Sequence, residues 1–260
     1  MKKGFLLLAF WLLGHHLITA QKVFIDSVAY QDGYRTIRVF LPKDYEHKTT
    51  PLLYMLDGQN LFDEKTSYAG EWMIDEIISS FPLSKQAVVI GIDHGNDKRM
   101  DELTPFTNEK YGGGDGALFL EWIMNTVKPY VYHKYSLKPN QDEIGIAGSS
   151  LGGLFAHYAA IKHPEYFTTA GVFSPSFWWS GDAYELAFDY VETNATPQHF
   201  IFQCGDSESD DMVPDMKRMH DIMLSKNNTV TYSVLEGANH SEKTWQALFP
   251  AFYASWLQFY

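Results

Sequence analysis

The sequence predicts an α/β domain with a mostly parallel eight-stranded sheet, helices on both faces and no large lid. Three observations carry this. Five short runs are almost continuously apolar, as suits strands buried on both faces of a parallel sheet. Amphipathic helical patterns separate them. The chain also enters through two alternating strands joined at Asp32-Gly33, a hairpin turn signal.

Residues 1–20 stand apart from that pattern. Met1-Lys2-Lys3 is a short basic start, residues 5–13 are wholly apolar, and Ile18-Thr19-Ala20 resembles a small-residue cleavage site before Gln21. The run is too short for a stable membrane anchor and reads as a secretory signal peptide. The expected mature chain, residues 21–260, is one domain, secreted or periplasmic, with no insertion into the membrane once the leader is removed. Its strands are expected over 23–30 and 36–41, then over the five apolar runs 51–57, 87–93, 143–148, 170–174 and 199–204. Helical patterns cover 71–80, 116–133, 151–163, 182–192 and 212–225; an eighth strand at 229–235 and a helix over 242–259 close the chain. Antiparallel entry followed by βαβ repetition makes a single α/β unit.

Two connections differ in what they permit. Residues 94–115 are long, charged and contain Gly112-Gly113-Gly114, so this loop is expected to be functional or mobile over the carboxyl edge of the sheet, where such folds bind ligands. Residues 176–198 hold one ordinary helix and leave no room for a lid domain.

Composition excludes several functions. The 260 residues carry 20 Lys plus Arg against 32 Asp plus Glu, a formal charge of −12. Such a chain repels polyanions, which argues against nucleic acid and anionic membrane surfaces as partners. Cys204 is the single cysteine, so neither a disulfide framework nor a cysteine-based zinc site is possible. The histidines scatter without metal-ligand spacing, and no dinucleotide or phosphate-loop motif occurs; no metal and no cofactor is expected.

The chemistry centres on Gly148-Ser149-Ser150-Leu151-Gly152, a G-x-S-x-G between a strand and a helix. That setting forces a tight turn and projects the Ser150 hydroxyl at the sheet edge above a helix N-terminus. A serine needs a base, and position selects among the histidines. His240 lies on a loop after the last strand, where a base belongs in the order Ser…acid…His; His94 follows an earlier strand and reads as a pocket residue. The acid is expected after the penultimate strand, in Gly205-Asp206-Ser207-Glu208-Ser209-Asp210-Asp211. Asp206 could make a turn, and Asp210 or Asp211 could cap the next helix. Glu208 has no local duty and is preferred, with the three aspartates left as alternatives. An oxyanion hole would take the Leu151 N–H and the Gln59 N–H from Asp57-Gly58-Gln59-Asn60-Leu61-Phe62. Trp178, Trp179, Trp245 and Phe62 are all expected near the same edge, as aromatic walls of an open site for a bulky aryl or sugar ester, small or polysaccharide-linked, rather than a lipase substrate.

At these residues the sequence resembles the esterase D-like branch of the α/β-hydrolases, which includes siderophore trilactone, feruloyl and acetyl-xylan esterases, S-formylglutathione hydrolases and mycolyltransferases. The similarity runs from about Arg35 to the last helix. It is carried by residues 53–62, 145–153, 173–178 and 237–242 with Trp245. The resemblance implies an α/β-hydrolase fold and a serine carboxylic-ester hydrolase working through an acyl-enzyme. It also implies a G-x-x-E whose Glu completes the triad, matched by Gly205-Asp206-Ser207-Glu208, and supports Gln59 as an oxyanion donor. Arg99 with Thr104-Pro105 is similar to an element of siderophore-esterase relatives in which the arginine contacts substrate. The alternatives are an acyltransferase or a catalytically silent binding protein on the same fold.

Overall fold

The computed structural model describes residues 22–67, 69–191 and 197–258. The expected signal peptide over 1–20 lies outside the described residues. β1 (Lys22–Tyr30) and β2 (Gly33–Leu41) pair antiparallel, with Tyr30 opposite Gly33 across the tight turn. The remaining strands are β3 (Thr50–Leu56), β4 (Val88–Ile92), β5 (Pro139–Ser149), β6 (Thr169–Phe173), β7 (His199–Gly205) and β8 (Thr229–Leu235). They form one sheet in the order β1-β2-β4-β3-β5-β6-β7-β8. β2 meets β4 antiparallel, and every neighbour from β4 to β8 is parallel.

The apolar runs become two-faced strands because period-2 alternation supplies both layers. Leu52, Tyr54 and Leu56 of β3 face one core, while Leu53 and Met55 face the other. The first core is covered by α3 (Gly116–Trp122), α4 (Lys128–Lys134), α5 (Leu151–Lys162), α6 (Asp182–Asp189) and α7 (Met212–Ser225). The second is covered by α8 (Glu242–Gln258) and the short α1 (Ile74–Ser79), through Trp72, Ile74, Phe249, Phe252 and Trp256. Each large apolar side chain sealed this way stabilises the fold by roughly 1.5–3 kcal/mol.

The structure adds detail to two expectations. The helix expected over 116–133 runs unbroken from Gly116 to Lys134, with a π turn at Ile123–Val127. Pro129 has no N–H to give the carbonyl four residues back and its ring crowds that carbonyl, so the preceding turn widens. The long connection 94–115, expected to be functional or mobile, is held by its own contacts and lines a cavity through His94 and Arg99. It carries the one-turn helix α2 (Arg99–Glu102), an ion pair from Glu102 to Arg35, and Gly114 and Gly116 N–H groups donating to the Thr104 carbonyl at 3.2 and 3.0 Å. Between β6 and β7 the described residues contain only a single turn at Phe177–Trp179 and α6, so among the described residues no large lid covers the carboxyl edge. Among the described residues no helix is long and apolar enough to cross a membrane.

Candidate active site

β5 ends at Ser149 and α5 begins at Leu151, which leaves Ser150 alone to make the turn, at φ 58° and ψ −122°. Holding a non-glycine residue there costs about 1–3 kcal/mol and persists only where neighbours enforce it. The flanking glycines do so by allowing close approach: a Cβ on Gly148 would lie 2.6 Å from the Gly152 carbonyl oxygen, and one on Gly153 would lie 2.8 Å from that of Phe173. The Ser150 N–H donates to the Phe173 carbonyl at 2.9 Å, tying the turn to β6. The hydroxyl makes no helix-capping bond; it lies 3.3 Å from the Ser176 hydroxyl at the cavity surface.

His240 sits on the loop between β8 and α8, and Glu208 on the loop after β7. The His240 Nδ1 to Glu208 Oε2 distance is 2.6 Å. The Glu208 side chain is 1% exposed against 38% for His240, so the carboxylate lies beneath the imidazole and the imidazole reaches the cavity. Glu208 Oε1 accepts from the Gly205 N–H and from the Ser174 hydroxyl, each at 2.6 Å. Asp206 is occupied elsewhere, accepting from the Gly237 N–H at 2.7 Å to hold the loop beneath His240. Asp211 caps α7 by position.

After β3 the chain turns through Asp57, at φ 54°, into Gly58-Gln59-Asn60. A Cβ on Gly58 would lie 2.7 Å from backbone atoms of Gly91 and Ile92, so only glycine lets this loop lie against β4. Gln59 then lines the cavity, and its side-chain carbonyl accepts the His94 N–H at 3.2 Å. Leu151 lies at the first turn of α5, where N–H groups have no partner within the helix.

The cavity measures about 610 Å³ and takes in Gln59, His94, Arg99, Ser150, His240 and Trp245. Arg99 does not reach across it unpaired: its guanidinium grips Asp57 through two bonds of 2.8 and 2.7 Å. Burial works against the Arg99 charge, and Asp57 more than offsets that, so its pKa rises. His94 is pushed down by burial and stays neutral at pH 7. Its Nδ1 accepts the Asn96 N–H at 2.8 Å, which leaves Nε2–H as its remaining donor. Glu242, also on the wall, is pushed up by burial and by the Asp57 charge. Among the described residues, Glu71, Asp75 and Glu76 bring carboxylate oxygens within 4.8 Å of one another, but none of them lines the cavity.

The structure thus brings Ser150, His240, Gln59, Arg99 and His94 to one cavity, with Glu208 bonded to His240 below it. It does not bring Trp178 and Trp179 there. Trp179 is buried, its indole N–H donating to the Phe106 carbonyl at 2.8 Å, because the ring closes the core behind the long loop. Trp178 points outward, 55% exposed, against Tyr111. Phe62 packs on Phe40 in the core. Sequence reasoning missed Asp57 and Glu242 as wall residues and Ser174 as a partner of Glu208; the residues 53–62, 173–178 and 237–242 that carried the resemblance held all three without showing their contacts.

Known proteins resemble this chain in sequence and in fold. Over 231 residues the chain is 26% identical to the uncharacterized protein YbbA of Bacillus subtilis, covering 81% of this chain and 88% of YbbA. It is 28% identical over 157 residues to the siderophore enterobactin esterase of Emericella nidulans, covering 53% of this chain and 50% of that one. Among solved structures, the siderophore hydrolase EstB from Aspergillus nidulans superposes with a TM-score of 0.70 at 20% identity, over 92% of this chain and 96% of that one. The Esterase family model, described as "Putative esterase", matches residues 29–255, and the chain belongs to that family.

Proposed function

We propose that the protein is an exported serine ester hydrolase in which Ser150 is the nucleophile, His240 the general base and Glu208 the residue that orients it. Membership of the Esterase family carries the reaction class, hydrolysis of an ester. The observation that supports the serine mechanism is the shared cavity: Ser150 and His240 both line it, and Glu208 bonds Nδ1 of His240 at 2.6 Å. With Nδ1–H donated to a carboxylate, Nε2 is left as the free base. His240 takes the Ser150 proton as the hydroxyl attacks the ester carbonyl. The Gln59 and Leu151 N–H groups stabilise the oxyanion, the alcohol leaves, and water releases the acid from the acyl-enzyme by the same route.

The substrate in this reading is a bulky aryl, sugar or siderophore ester. The uncovered carboxyl edge leaves room for its far portion, and Arg99, His94 and Glu242 offer polar contacts at the wall. The activities for which the relatives are named, siderophore esterase and ferulic acid esterase, belong to the same range. The test is hydrolysis of p-nitrophenyl acetate, p-nitrophenyl butyrate and methyl ferulate by the chain beginning at Gln21, beside its Ser150→Ala variant. Turnover by the parent and its loss in the variant are expected; equal turnover by both overturns the assignment.

A further inference from the structure

We propose that Ser174, with its hydroxyl aimed by Trp245, is a positioning residue that fixes the direction of every proton in the acid–base chain; this rests on the serine mechanism above. The indole N–H of Trp245 donates to Ser174 Oγ at 2.8 Å, and Ser174 Oγ donates to Glu208 Oε1 at 2.6 Å. An indole nitrogen can only donate and an ionised carboxylate can only accept. The hydroxyl between them therefore has one possible sense, accepting from Trp245 and donating to Glu208. With the Gly205 N–H also on Oε1, that oxygen is fully occupied and Oε2 is left for His240 Nδ1. The Trp245 ring stands perpendicular to the His240 ring at 5.0 Å, so one side chain sets the rotor and packs the base.

The site is built for this. Ser174 is fully buried and Trp245 is 5% exposed, so no water competes for the hydroxyl. Ser174 also sits at φ 42°, a strained backbone that its N–H bond to the Gln203 carbonyl at 2.7 Å maintains. A polar side chain held in a costly conformation, between a donor-only and an acceptor-only partner, has a directional task that packing alone does not require.

The titratable and charged groups around this chain are Glu208 and Glu242 beside His240, Asp57, Arg99 and His94 across the cavity, and Cys204 and Asp206 near Glu208. None of them changes in the test. Without the Ser174 hydroxyl, Oε1 keeps one donor and the carboxylate holds the imidazolium proton more tightly. The acidic limb of kcat/KM then moves to higher pH by about half a unit. Looser aim of the carboxylate lowers kcat by up to about 100-fold with KM within about twofold, the scale of a small misplacement of a group that must be held in register.

The experiment measures pH profiles of kcat and kcat/KM on p-nitrophenyl butyrate for Ser174→Gly, Ser174→Cys and Ser150→Ala, with thermal midpoints. Glycine suits the φ of 42° while lacking the hydroxyl, and cysteine restores a weak donor. The expected order of kcat is parent, then cysteine, then glycine, with the limb displaced most in the glycine variant. An unmoved limb overturns the inference, whether kcat is retained or falls together with the thermal midpoint. Retained activity in Ser150→Ala overturns the serine mechanism and this inference with it; a dead Ser150→Ala beside a normal Ser174→Gly overturns this inference alone.

Discussion

Replacing Glu208 with glutamine changes one atom and, by the contacts present, reverses the proton on His240. Oε1 accepts two hydrogen bonds, from the Gly205 N–H and the Ser174 hydroxyl. A glutamine must place its carbonyl oxygen there, because its NH2 would oppose both donors. The NH2 is then left at the Oε2 position, 2.6 Å from His240 Nδ1, where it can only donate. His240 responds by making Nδ1 the acceptor and carrying its proton on Nε2, the nitrogen required to accept from Ser150. Exchanging acid for amide in the triad of a serine protease costs about 10⁴ in kcat through this wrong tautomer. Here His240 is partly exposed and can exchange its proton with water, which favours the lower part of a range of about 10² to 10⁴, or roughly 3–5 kcal/mol. The assay is steady-state hydrolysis of p-nitrophenyl butyrate, with far-ultraviolet circular dichroism and a thermal melt to establish folding. A folded Glu208→Gln within tenfold of the parent refutes the tautomer reasoning, as does a larger loss in Asp206→Asn or Asp211→Asn.

Packing and burial have consequences of their own. Gly58→Ala places a methyl group against the backbone of β4, which cannot yield, so the loop carrying Gln59 is displaced; kcat is expected to fall more than about tenfold with circular dichroism unchanged, and a variant with normal kcat contradicts the oxyanion role proposed for Gln59. Burial pushes His157 down to about 3 and His199 down to about 4, while the unfolded chain titrates near 6.5. The unfolded state therefore binds more protons as pH falls below about 6.5. Stability is full above that value and is lost by about 1.4 kcal/mol per pH unit per histidine as pH falls toward the folded values. His157→Phe should flatten the slope of urea-unfolding free energy between about pH 6.5 and 5 by about one proton, and an unaltered slope counts against it. An uncovered site predicts higher kcat/KM on feruloyl, acetyl-sugar or catecholate esters than on p-nitrophenyl palmitate; clear preference for palmitate defeats that reasoning.

Much of this architecture was legible because its signals are local. The β3 run that reads as apolar on nearly every residue has to be buried on both faces, and the two cores take Tyr54 and Met55 on opposite sides. The G-x-S-x-G was readable because its glycines answer a steric demand of the turn itself. Glu208 was separable from Asp206 only in part, since choosing between them depends on a loop whose shape is set by the Asp206 bond to Gly237. What stayed hidden is tertiary. Arg99 and Asp57 are 42 residues apart, and nothing local to either shows that the guanidinium is paired. Ser174 and Trp245 meet across 71 residues. Trp178 and Trp179 follow β6 as a substrate wall would, but adjacent residues on a turn point different ways, and here one faces solvent and the other the core. The π turn came from Pro129, a residue readable as a helix breaker whose effect was absorbed one turn earlier.

The claim on which the rest depends is that Ser150 becomes acylated. It is tested most directly by treating the protein with diethyl p-nitrophenyl phosphate, which transfers a phosphoryl group to an activated serine, and locating the adduct by peptide mass spectrometry. One adduct is expected, on the peptide bearing Ser150, with hydrolysis lost in proportion to labelling and no adduct in Ser150→Ala or His240→Ala. An adduct on another residue, or full labelling at Ser150 with hydrolysis intact, contradicts it.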